Sequence, residues 1–92
     1  MTEQEFRELL AARGYDEIRE TEYSPQFENE LHTHDFSALL MVLEGEFVLG
    51  REGGGETFLA GETCEVPAGT LHAERTAELG ARVLTGIKPS AT

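Results

Sequence analysis

The chain has 92 residues, 39% of them hydrophobic, and its 18 Asp and Glu against seven Lys and Arg give a formal net charge of -11. This length predicts one domain with a single core, and the acidic balance repels phosphate backbones and anionic lipid headgroups, which argues against nucleic-acid and membrane partners. With Cys64 as the only cysteine and no secretory leader or apolar span in the sequence, we expect a cytoplasmic protein without an intrachain disulfide.

The first 17 residues predict a short N-terminal helix and its connector. Thr2 and Glu5 have the spacing of a capping box, and Gly14 supplies the conformation that ends a helix. The apolar stripe has helical spacing and consists of Phe6, Leu9 and Leu10.

From Ile18 onward the sequence predicts an antiparallel β-sandwich or β-barrel, because short runs are broken every eight to twelve residues by Gly, Pro or charged pairs. Residues 89–92 are a predicted tail. Glu44 and Gly45 predict a tight hairpin turn, and glycines 53–55 a loose hairpin tip rather than a phosphate loop. The predicted strands are Ile18–Tyr23, Glu30–His34, Leu39–Glu44, Phe47–Arg51, Glu56–Leu59, Thr63–Val66, Leu71–Thr76 and Arg82–Ile87.

The three histidines of the chain are candidate metal ligands. His32 and His34 alternate around Thr33, so an extended backbone places both imidazoles on one face. His72 follows Pro67 and Gly69, which shape a turn that delivers its side chain inward.

These residues resemble the two motifs of the cupins, small antiparallel β-barrels with a metal site. Motif one, G-x5-H-x-H-x3,4-E-x6-G, is met at His32, His34 and Gly45. Motif two, G-x5-P-x-G-x2-H-x3-N, is met at Gly61, Pro67, Gly69 and His72. The resemblance covers residues 18–88 and implies an all-β, antiparallel cupin-type barrel (a double-stranded β-helix or jelly roll) with the N-terminal helix packed outside.

Three positions depart from these motifs: Gln26, Ala38 and Thr76. Ala38 stands where the family places its glutamate ligand, and a methyl group cannot coordinate a metal. The resemblance therefore implies a divalent transition metal, Zn, Fe, Ni or Cu, on His32, His34 and His72 alone. Three neutral ligands leave the centre at a charge of +2, which favours a small anionic molecule.

Two glutamates are candidate replacements for the missing carboxylate. Glu74 lies two residues after His72, and Glu30 two residues before His32, so each shares a strand face with its histidine. Each is a candidate ligand, and the alternatives are a hydrogen-bond acceptor that orients an imidazole or a solvated residue at the strand edge. Glu74 is preferred because we expect it to lie deeper in the barrel. Cys64 is expected to face the interior as inert packing, and Phe36 to wall the pocket.

The motifs do not select one function. One hypothesis is a metal-binding small cupin that binds a small, anionic molecule without turnover. A second is a metal-dependent enzyme such as a dioxygenase or isomerase, for which Tyr23, Glu74, Arg75 and Arg82 are candidate acid, base or anion-binding groups, with no catalytic residue assigned. A third is a metal-free structural or ligand-binding barrel. The resemblance also implies a homodimer.

Overall fold

The computed structural model describes residues 1–89, and this part of the chain contains one helix and five strands. The elements are α1 Glu3–Ala12, β1 Glu17–Tyr23, β2 Phe36–Arg51, β3 Gly54–Leu59, β4 Thr63–Val66 and β5 Ala73–Pro89. All strand pairs are antiparallel, in the order β1-β5-β2-β3, with β4 paired to β2. Of the predicted tail, Pro89 ends β5, and residues 90–92 lie outside the described residues.

Helix α1 begins at the predicted capping box. The Thr2 hydroxyl accepts a hydrogen bond from the backbone N–H of Glu5 at 3.1 Å, and the Glu5 carboxylate accepts one from the backbone N–H of Thr2 at 2.8 Å. Phe6 and Leu10 on its apolar stripe are fully buried, and Gly14 has a φ of +79° just beyond its end. Within residues 1–89, no helix is long and apolar enough to cross a membrane.

Strand β2 contributes to two hydrophobic clusters because its alternate residues point to opposite faces of the sheet. The inner cluster consists of Ala38, Leu40, Val42, Phe47, Leu49, Val66, Ala81 and Val83. The outer cluster, which lies under α1, consists of Phe6, Leu10, Tyr15, Leu39, Met41 and Leu84. The helix therefore covers the sheet face opposite the inner cluster, as predicted for a helix packed outside the barrel.

The predicted hairpin at Glu44 and Gly45 is wrong, because β2 runs through both residues as one strand. Its pairing with β5 shifts register here, from Ala81 opposite Gly45 to Thr76 opposite Phe47. Gly45 has a φ of +81°, and a Cβ atom on it would lie 2.2 Å from the Gly80 carbonyl oxygen. The positive φ serves a bulge that bends the strand instead of a turn that reverses it.

Two further strand predictions need correction. The predicted strands 71–76 and 82–87 are parts of one strand, β5. The predicted strand Glu30–His34 is absent from the described residues, since this segment makes only one isolated bridge, from His32 to His72. A second isolated bridge lies just before it, from Glu28 to Arg75. Two pairs of predicted strands are continuous through their bulges, and together with the absent strand Glu30–His34 this explains five strands where eight were predicted.

The close approach of Gly45 to Gly80 predicts a large difference between two glycine substitutions. We expect Gly45→Ala to lower the free energy of unfolding by at least about 3 kcal/mol, because it combines an unfavourable φ with a backbone clash. Gly53→Ala is the matched control, since Gly53 has a φ of +83° but nothing within 4 Å of the added Cβ. It should cost about 1–2 kcal/mol in urea denaturation. Equal losses for the two variants would contradict the bulge interpretation.

Candidate metal centre

The three histidines converge although they come from two distant segments. The backbone N–H groups of His32 and His72 each donate to the other residue's carbonyl oxygen, at 2.8 and 3.0 Å, and this bridge places the two side chains together. His34 lies two residues further along the same extended segment. One ring nitrogen from each histidine lies within 4.8 Å of the others.

Backbone carbonyl groups fix the tautomers of two of these imidazoles. Nδ1 of His32 lies 2.7 Å from the Glu30 carbonyl oxygen, and Nδ1 of His72 lies 2.8 Å from that of Thr70. Because a carbonyl oxygen only accepts, Nδ1 carries the proton in both rings. In the neutral imidazole, Nε2 then presents its lone pair to the site, which is the form that binds a metal ion.

His34 is oriented by an aromatic contact. Its ring stacks on Phe36 with centroids 4.5 Å apart and an interplanar angle of 17°. Burial, together with the neighbouring His32 and His72, lowers the pKa of His34 below its usual value. The ring is thereby biased towards its neutral, metal-binding form.

Glu74 lies against the histidine cluster. Its Oε2 atom is 3.1 Å from Nε2 of His72 and 3.4 Å from Nε2 of His32. The side chain is 16% exposed, and Oε2 is buried without a hydrogen-bond donor in the described part of the chain. Glu30, the other candidate, is exposed and reaches the centre through its backbone carbonyl alone.

A pocket of about 190 Å³ opens beside the histidines. Its walls are mostly apolar, with polar groups towards the histidines and on β1 and β5. The lining residues are Arg19, Thr21, Tyr23, His34, Phe36, Ala38, Leu40, Phe47, Leu49, Val66, Pro67, His72, Glu74, Thr85 and Ile87. Phe36 is thus part of the pocket wall, as predicted, and the methyl group of Ala38 lies where a longer side chain would fill space.

The predicted acid, base and anion-binding groups separate into two sets. Tyr23 and Glu74 line the pocket, and burial, reinforced by the Glu74 charge, raises the pKa of Tyr23 to about 12. Arg75 donates to the carbonyl oxygen of Gly54. Arg82 pairs with two glutamates on the exterior, and neither arginine lines the pocket.

Two polar residues on β1 line the pocket but were not predicted as site residues, Arg19 and Thr21. The alternation of the predicted strand could have indicated them, since both share a face with the pocket-lining Tyr23. Asn29, which bonds to Glu74, was also missed. No local pattern marks it, because its partner is 45 residues away in the sequence.

The donor atoms fit a divalent transition metal. Two ligands of one ion at 2.0–2.1 Å are at most about 4.2 Å apart, so separations of up to 4.8 Å require only small rotations of the side chains. Imidazole nitrogen suits Zn, Fe, Ni and Cu. His32, His34 and His72 are therefore a group that could hold such an ion.

Similar proteins are found by structure alone, since neither a protein-family model nor a curated protein sequence matches the chain. An RmlC-like cupin from Shewanella frigidimarina superimposes with a TM-score of 0.69 at 23% identity, over 80% of this chain and 66% of that protein. A structural-genomics protein of unknown function from Rhizobium leguminosarum has a TM-score of 0.72 and 26% identity, over 78% of this chain and 68% of that protein. The polyketide cyclase RemF from Streptomyces resistomycificus has a TM-score of 0.68 and 27% identity, over 78% of this chain and 52% of that protein.

The chain has the cupin fold, as its motifs indicated. It spans between about half and two thirds of the length of the three structures described. Its mostly antiparallel sheet with one short N-terminal helix is the architecture predicted from the sequence.

Cys64 is adjacent to the inner cluster and lies outside the histidine group. Burial, reinforced by Glu56, raises the pKa of its thiol to about 12, so the thiolate is scarce near neutral pH. We expect iodoacetamide at pH 8 to alkylate the folded protein about a thousandfold more slowly than the unfolded chain, whose thiol has a pKa of about 8.5. Mass spectrometry of timed samples measures both rates. Alkylation rates of the folded and unfolded protein within tenfold of each other would contradict the prediction that this partly buried thiol is unreactive.

Proposed function

We propose that this small cupin domain binds a divalent transition metal through His32, His34 and His72 and holds a small anionic molecule in the adjoining pocket. The observation that carries the proposal is the convergence of three ring nitrogens within 4.8 Å. Two of these rings have their Nδ1 proton committed to a backbone carbonyl group. Such a bond is typical of a metal-ligating histidine, because it leaves Nε2 with a free lone pair.

The pocket supports a small ligand that carries negative charge. Its volume of about 190 Å³ is below the roughly 300–1,000 Å³ of sites for drug-sized molecules. Arg19, which also pairs with Glu17, contributes a cation to the lining, and a divalent ion on neutral imidazoles would add positive charge beside the histidines. The apolar lining residues, such as Leu40 and Leu49, suit a hydrocarbon body.

Each group that lines the pocket has a chemistry that it would supply to such a ligand. When bound, the metal would supply Lewis acidity that polarises an oxygen of the ligand. Tyr23, whose pKa of about 12 keeps its hydroxyl protonated at neutral pH, can donate a hydrogen bond to the ligand. Arg19 can pair with an anionic group, and Phe36 excludes water from one side of His34.

Metal analysis of untagged protein tests the site directly. We expect near-stoichiometric Zn, Fe, Ni or Cu in the unmodified protein by plasma mass spectrometry and less than about a tenth of that in His72→Ala, because the site loses one of three nitrogen ligands. His34→Ala is a second variant at a less buried position, and Glu78→Gln, an exposed carboxylate on β5, is the control. No metal in the unmodified protein, or equal metal in His72→Ala, would overturn the proposal.

A functional assay then separates binding from turnover. The metal-loaded protein is incubated with a panel of small carboxylates, and binding is followed by calorimetry while consumption of the carboxylate and of oxygen is followed in parallel. Binding without consumption supports a binding module, and consumption that His72→Ala abolishes supports a metal-dependent enzyme such as a dioxygenase or isomerase. Homodimerisation stays a prediction, for which sedimentation is the measurement.

A further inference from the structure

We propose that Glu74 is a fourth ligand of the metal ion and that Asn29 is the residue that positions its carboxylate. The inference deepens the proposed function and rests on it, since it concerns the same ion. The sequence motif leaves the centre without a carboxylate because position 38 is alanine. The fold supplies one from a different strand.

One oxygen of the Glu74 carboxylate is buried without a hydrogen-bond partner among the described residues. Oε2 of Glu74 is buried and receives no hydrogen bond within residues 1–89, although a buried carboxylate oxygen ordinarily has a donor. It faces Nε2 of His72 at 3.1 Å and Nε2 of His32 at 3.4 Å. In the neutral form of either ring the proton lies on Nδ1, so Nε2 presents a lone pair to Oε2 instead of a donor hydrogen. A cation bound by all three atoms removes this repulsion.

Asn29 fixes the orientation of the Glu74 carboxylate. The Asn29 side-chain amide donates to Oε1 of Glu74 at 3.0 Å, and the backbone N–H of Glu74 donates to Oδ1 of Asn29 at 2.8 Å. This reciprocal pair occupies Oε1 and directs Oε2 towards the histidines. An amide adds no charge, and within the described residues Glu74 makes no ion pair with Lys or Arg, so its negative charge stays available to a metal ion.

The alternative is that Glu74 only orients an imidazole. Such a carboxylate accepts a hydrogen bond from the N–H of the ring nitrogen that faces away from the metal. Those nitrogens are Nδ1 of His32 and of His72, and each already donates a hydrogen bond to a backbone carbonyl oxygen, of Glu30 and Thr70 respectively. Glu74 instead contacts the nitrogens that face into the centre, which is the position of a ligand.

The test compares the unmodified protein with four variants, each prepared free of metal. Glu74→Gln removes the charge at constant shape, Asn29→Ala releases the carboxylate, Glu78→Gln is the carboxylate control from the same strand, and His72→Ala removes an imidazole ligand. The Zn²⁺ dissociation constant is measured by competition with a chromophoric chelator. The visible absorption spectrum of each Co²⁺-loaded protein reports its ligand set, and circular dichroism confirms that each metal-free variant is folded.

We expect Glu74→Gln to weaken Zn²⁺ binding by about 10- to 100-fold and to shift the Co²⁺ spectrum, with Asn29→Ala weakening binding by about 10-fold and Glu78→Gln leaving it unchanged. If Glu74→Gln fails to fold, Asn29→Ala decides the question. Normal Zn²⁺ affinity and an unchanged spectrum in the Glu74 variant, with loss of binding in His72→Ala, would overturn the ligand role alone. Failure of the unmodified protein to bind Zn²⁺ or Co²⁺ would overturn the proposed function as well.

Discussion

The pairing of β2 with β5 is the constraint on which the rest of the structure depends. Strand β2 pairs along its length with β5 on one side and with β4 and then β3 on the other, while β5 also pairs with β1. These two long strands can bend together because Gly45 and Gly80 meet with their backbones in close contact. Together the two strands supply most of the inner cluster.

The same pairing delivers the candidate ligands. At its beginning, β5 pairs with the second half of β2, where Leu49 lies opposite Glu74, and its other edge receives the segment that carries His32. Glu74 is thus held between two backbone neighbours, and mutual backbone hydrogen bonds with His32 fix His72 just before β5 begins. The backbone therefore brings the candidate ligands together, and such preorganisation lowers the entropic cost of binding an ion.

How much the sequence predicts depends on how local each signal is. The capping box at Thr2 and Glu5 lies within one helical turn, so the helix was predictable from the sequence. The two histidine motifs are also local, and they identified the three histidines that the structure brings together. Gly45 was misinterpreted because a hairpin turn and a strand bulge both require positive φ at glycine, and only the partner strand decides between them. The pairing of Asn29 with Glu74 depends on tertiary structure and has no sequence pattern.

The register of β1 on β5 has a consequence for folding kinetics. Glu17 pairs with Ile87, so the sheet is completed by contacts between residues that are distant in the chain, and such topologies fold slowly compared with a helix. His32 and His34 are close neighbours in the sequence, whereas the bridge that brings His72 to them exists only in the folded chain. Convergence of the three candidate ligands is therefore coupled to the slow, non-local pairing of the sheet.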